Sequence, residues 1–256
     1  MNFLKKSSRP SLFWYITEPG RALTELGLTY PYNSFHKTEK MGDGHPVMIL
    51  PGFMGSKSST GMLRSFVEKL GYNVYDWGLG RNLGKVEYLD LLVMRLEDIY
   101  AENNQRPVSL IGWSLGGVFA RQLAKQKPHL VRQVITLGSP FQNITADNNA
   151  TWMYSVLYAG QKVKDLDKSL LQNFPLPAPV PTTAIYTKED GIVPWQSCIE
   201  AHEDRTHQNV QVRGSHFGLG MNASVFHIIK DRLQFTERNW LPFKPKGVFE
   251  NLVVYP

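Results

Sequence analysis

The chain has 256 residues, 42% of them apolar and 20% charged, with a net charge of +6; this composition excludes fibrous and disordered classes and suits one compact core. Base is gathered partly at Lys5, Lys6 and Arg9 without an aromatic-interleaved stripe, which argues against nucleic acid and is compatible with weak attraction to anionic membrane surfaces. The single cysteine, Cys198, excludes an intramolecular disulfide and a thiolate metal cluster, and the apolar stretches are too short for a membrane span or a signal peptide, so a reducing cytoplasm is the expected compartment.

Pro10, Pro19 and Pro31 interrupt the first forty residues, so residues 1–44 are expected to form an extended arm with one short helix around 21–26, outside a domain spanning 45–256. Residues 46–50 are a short apolar run ending in Pro51-Gly52, as a buried strand entering a tight turn would be. A helix over 62–70 and a strand over 73–77 follow. Leu89, Leu92, Val93, Leu96 and Tyr100 then recur at helical spacing within 86–100.

A strand over 107–112, a helix over 115–125 and a strand over 131–137 complete a strand–helix–strand series, which implies right-handed crossovers and a parallel sheet. The alternation lapses over 142–180, where four prolines crowd 174–181, and this segment reads as an insertion. Strands over 182–186 and 210–212 and a closing helix over 223–233 resume the pattern.

Gly112-Trp113-Ser114-Leu115-Gly116 lies between an apolar strand and a helix, the context that a nucleophile elbow requires. Ser114 as a mere helix cap is the rival reading, but it leaves the flanking glycines and the later acid and base unaccounted for. A serine hydroxyl needs a base to take its proton, and His216, in Gly214-Ser215-His216-Phe217-Gly218 directly after the last predicted strand, is the candidate. His129, His202 and His207 fall in polar stretches that read as exposed, and His227 falls inside the closing helix. The acid should follow a strand and precede that histidine; Asp190 is favoured over Glu189 because Gly191 allows a sharp turn. The amides of Phe53, after Pro51-Gly52, and of Leu115, after the serine, are the candidate oxyanion donors.

Taken in order, these segments resemble the α/β-hydrolase superfamily, and within it bacterial lipases and esterases whose oxyanion loop follows the first core strand. Leu137-Gly138-Ser139-Pro140-Phe141 is similar to the strand end that follows the elbow helix in many lipases, while Pro51-Gly52 stands where such lipases usually carry His-Gly. The resemblance covers about residues 46–235. It implies a mostly parallel central sheet with helices on both faces, a short cap inserted at 142–180, and no metal or organic cofactor.

The expected function is cleavage of small-molecule or lipid-like carboxylic esters, with medium acyl chains bound through Trp113, Trp152 and Phe174. Acyl transfer by the same three residues is one alternative. A ligand-binding protein that retains them without turnover is another.

Overall fold

The computed structural model describes residues 10–35, 41–142, 173–236, 238–246 and 254–255. After the helix α1 (Leu12–Phe35) come β1 (Pro46–Leu50), α2 (Gly61–Lys69), β2 (Asn73–Asp76), α3 (Tyr88–Glu102), β3 (Val108–Trp113), α4 (Leu115–Gln126) and β4 (Val131–Leu137). Then follow β5 (Thr182–Tyr186), β6 (His207–Val212), α5 (Ala223–Leu233) and the short β7 (Val254–Tyr255).

The strands form one sheet in the order β2-β1-β3-β4-β5-β6-β7. All neighbours pair in parallel except β6 and β7. Parallel strands covered on both faces need apolar residues at nearly every position, and β1 and β4 are buried along their whole length. On one face Met48, Leu50, Leu110 and Val134 pack against α3 and α4; on the other, Val47, Ile49, Ile111 and Ile135 pack against α2 and α5. The buried set of α3 is Leu89, Leu92, Leu96 and Ile99, the periodicity visible in the sequence.

The chain leaves β1 for β2 on one side and returns to β3 on the other. The carboxyl ends of β1 and β3 therefore flank the switch point of the sheet, where doubly wound folds place their ligand crevice. Pro51-Gly52-Phe53 leaves the first of these ends and Ser114 the second.

Residues 12–35 differ from expectation. Instead of an extended arm with a helix around 21–26, α1 runs from Leu12 to Phe35 straight through Pro19 and Pro31. A proline removes one intrahelical bond, but tertiary contacts hold this helix: its charged residues Glu18, Arg21 and Glu25 bond to loops of the sheet domain, and Pro19 sits on the solvent side. Its outer face carries Leu12, Phe13, Ile16 and Leu23, each more than 60% exposed, so its amphipathicity is inverted. Among the described residues no helix is long and apolar enough to cross a membrane.

Candidate active site

Gly112, next to last in β3, lies against Gly117 near the start of α4, so closely that a Cβ on Gly112 would overlap the Gly117 backbone. A Cβ on Gly116 would lie 2.7 Å from the Pro51 carbonyl oxygen. The two glycines thus let strand, helix and the turn after β1 converge on one residue. That residue, Ser114, takes φ 52° and ψ −122°, a region costing a non-glycine residue about 1–3 kcal/mol and held only where its surroundings over-determine it. Its amide donates to the Leu137 carbonyl (2.8 Å), and its own carbonyl accepts from Gly117 (3.0 Å).

His216 Nε2 lies 3.0 Å from Ser114 Oγ, and His216 Nδ1 lies 2.6 Å from Asp190 Oδ2. The other carboxylate oxygen, Oδ1, accepts the amides of Ile192 (2.8 Å) and Val193 (2.6 Å), which fixes the acid in its turn. Glu189 instead accepts the Gly214 amide at 3.3 Å. The Trp113 indole donates to the His216 carbonyl at 3.1 Å. All three side chains are buried. Burial disfavours the charged form of His216, but the charge and hydrogen bond of Asp190, with the charge of Glu18, hold its pKa above the ordinary histidine value.

The turn after β1 lies alongside: a Cβ on Gly52 would sit 3.2 Å from Ser114 Cβ. Neither the Phe53 nor the Leu115 amide has an acceptor among the described residues, so both are free to serve a ligand. Asn82 braces this turn in a way the sequence did not suggest. Its Nδ2 donates to the Pro51 carbonyl (2.8 Å), its amide to the Gly55 carbonyl (2.8 Å), and its carbonyl accepts the Met54 amide (2.7 Å).

A cavity of about 500 Å³ opens over Ser114 and His216, walled by Phe53, Met54, Trp113, Ile192 and Phe217. Trp113 therefore stands where a substrate contact was expected. Phe174 does not: it is buried in the core against the α3–α4 side of the sheet, because the return from the insertion tucks under α4, where Lys125 Nζ holds the Phe174 carbonyl at 3.2 Å. Trp152 lies outside the described residues. His207, expected to be exposed, is buried in β6 and bridges Asp204 (3.0 Å) and the Ala178 carbonyl (2.9 Å).

A family model described as a PGAP1-like alpha/beta domain matches residues 75–176. An uncharacterized protein of Saccharomyces cerevisiae is 33% identical over 69 residues, 27% of this chain and 10% of that protein. Among solved structures, lipase B of Aspergillus fumigatus superposes with a TM-score of 0.60 at 18% identity, over 80% of this chain and 55% of that one. A structure from work on LipS and LipT, two metagenome-derived lipolytic enzymes, superposes with a TM-score of 0.56 at 14% identity, over 75% of this chain and 92% of that one. The chain thus spans a tenth of the yeast protein and about half of lipase B. With its parallel sheet, its elbow at the end of β3 and these likenesses, the chain has the fold of the α/β-hydrolases.

Proposed function

We propose that the chain is a serine hydrolase that cleaves carboxylic esters of medium-chain or lipid-like acids through an acyl-enzyme. The observation that carries this reading is the continuous hydrogen-bonded series Asp190–His216–Ser114, opening into an apolar cavity of about 500 Å³, a size that suits a small-molecule ligand. With Nδ1–H donated to Asp190, His216 presents an unprotonated Nε2 to the serine hydroxyl. Ser114 Oγ attacks the ester carbonyl carbon while its proton passes to Nε2, and the oxyanion is met by the amides of Phe53 and Leu115. The imidazolium then protonates the departing alcohol. Water, deprotonated by the same nitrogen, releases the acid and restores the serine. The lipolytic names borne by proteins of the same fold agree with an ester substrate.

The test is labelling of the whole chain with a fluorophosphonate probe, together with turnover of p-nitrophenyl esters, for wild type and Ser114→Ala. The wild type is expected to label and turn over; the variant should lose labelling and roughly a thousandfold or more of turnover with an unchanged melting temperature. Equal turnover by the two proteins would remove Ser114 from the reaction.

A further inference from the structure

The acid and the base of this site hang on different loops, Asp190 after β5 and His216 after β6, and one carboxylate from outside the sheet ties the two loops together. Glu18 of α1 is 1% exposed. Its Oε1 accepts the amide of Gly191, the residue after the acid, at 2.8 Å, and the amide of His216 itself at 3.0 Å. Oε2 accepts the Phe217 amide at 3.1 Å. Arg21, one turn on, neutralises this carboxylate at 3.0 Å and also donates to the Gly214 carbonyl at 3.2 Å. Glu25, a further turn along the same face, accepts from the Ser215 amide and hydroxyl, both at 2.7 Å, and from Asn222 Nδ2 at 2.8 Å.

Three backbone amides converging on one buried carboxylate are satisfied only while all three stay in register, since a buried donor without its acceptor is costly. The approach is close: a Cβ on Gly191 would lie 2.6 Å from the Tyr15 amide nitrogen. That contact, rather than the sharp turn inferred from sequence, is why the residue after the acid is glycine. We propose that Glu18 is a positioning residue that fixes the acid turn and the histidine loop in the register needed for the Asp190–His216 bond, with α1 as its strut. Only the activity readout of this proposal rests on the serine-hydrolase reading. Among the described residues, the charged side chains hydrogen-bonded to the imidazole or its loop include Asp190 and Glu189 from the turn after β5, and Glu18, Arg21 and Glu25 from α1, while Arg213 lies in the loop itself. Of these, Asp190 and Glu18 favour its protonated form.

The experiment uses the whole chain as wild type, Glu18→Ala, Glu18→Gln and Thr24→Ala, a control on the exposed side of α1. Readouts are kcat and KM on a p-nitrophenyl ester, the pH profile of kcat/KM, and the low-field proton resonance of the His216–Asp190 hydrogen bond, which needs no turnover. Glu18→Ala is expected to lose kcat about 10- to 100-fold, the scale of an ångström-level misplacement, with KM within twofold and the resonance broadened. Glu18→Gln keeps an acceptor but no charge, so it should retain the resonance and move the acidic limb to lower pH. Thr24→Ala should match wild type. An unchanged kcat, limb and resonance in Glu18→Ala, or the same losses in Thr24→Ala, would overturn the proposal. If Glu18→Ala does not fold, Glu18→Asp, whose shorter carboxylate cannot meet all three amides, takes its place, and an unchanged kcat and resonance in it overturns the proposal. If wild-type turnover proves independent of Ser114, the hydrolase reading falls and the resonance alone decides: unchanged in Glu18→Ala, it overturns the strut; broadened, it upholds it.

Discussion

Met54 and Asn82 are joined by a 2.7 Å hydrogen bond from the Met54 amide to the Asn82 carbonyl, and Met54 takes a left-handed conformation, φ 60°, to make it. The bond pins the far end of the turn whose near end, at Gly52, touches Ser114. Asn82 also holds Pro51 through its side chain; Asn82→Ala keeps the main-chain bonds to Met54 and Gly55 but releases Pro51, so the Phe53 amide, proposed above as an oxyanion donor, should lose its fixed position. An oxyanion donor stabilises charge that develops only in the transition state. The expected outcome is therefore a fall of about 10- to 100-fold in kcat with KM nearly constant, measured by steady-state kinetics on one ester. An equal change in KM with kcat intact would mean that Asn82 shapes the cavity instead.

Asp190→Asn should be far more damaging than Glu189→Gln. Asp190 reaches the imidazole at 2.6 Å, whereas Glu189 spends its carboxylate on the Gly214 amide. An amide at position 190 can offer its NH2 to Nδ1 and favour the wrong tautomer, and such a change in an acid–histidine pair costs as much as about 10⁴-fold in kcat. The two variants compared under saturating substrate decide the matter, and a weaker Glu189→Gln enzyme would reassign the acid.

Turnover should rise with pH through a group titrating above 6.5, the ordinary histidine value, because in the proposed mechanism His216 must be neutral to accept the serine proton and its pKa is raised. Burial works against that rise; the charge and hydrogen bond of Asp190 outweigh it. The acidic limb of kcat/KM in the free enzyme reports this group directly, and a midpoint below 6.5 would contradict the geometry around the ring.

The sheet, and the three residues Ser114, Asp190 and His216 that the structure joins by hydrogen bonds, were legible in the sequence because each has a local signature. Strands 131–137 and 182–186 and helix 223–233 stand where the apolar pattern put them, since a strand buried on both faces leaves little ambiguity. Helix α1 was misread because its pattern is inverted: apolar residues face out, and the charges turn inward to loops nearly two hundred positions away. A trace of this was present. Glu18, Arg21 and Glu25 are the sole charged residues between Leu12 and Phe35, and their spacing puts them on one helical face. Asn82 left no comparable trace, because its partners Pro51, Met54 and Gly55 are set by the fold of the turn. Phe174 was misassigned because an aromatic in an insertion reads alike whether it lines a cavity or fills the core.

A second Asp–His–Ser series has similar distances but different surroundings. At the amino end of the sheet, His45 Nδ1 lies 2.6 Å from Asp43 Oδ1 and His45 Nε2 lies 2.9 Å from Ser109 Oγ, distances close to those at Ser114. Here, however, Ser109 and His45 are fully buried. Ser109 lies within the regular strand β3, with no elbow to lift its hydroxyl toward a ligand. The electrostatics are also reversed. Burial, then the charge of Arg132, push the His45 pKa down to about 4 in spite of Asp43, so this ring is neutral in the folded protein. A base whose pKa falls on folding binds more protons when unfolded, so it removes stability as pH drops below 6.5 toward 4. His216, with a raised pKa, works in the opposite sense, adding stability below 6.5 that is lost as pH rises through its folded value. The two must therefore be separated by difference. Relative to His45→Gln, the wild type should lose about 2 kcal/mol of unfolding free energy between about pH 7 and pH 5, read from urea midpoints of both proteins. Ser109→Ala should keep wild-type ester turnover while Ser114→Ala loses it. Parallel pH dependences would mean that His45 is not held neutral, and a loss of turnover in folded Ser109→Ala would mean that the sealed series takes part in the chemistry.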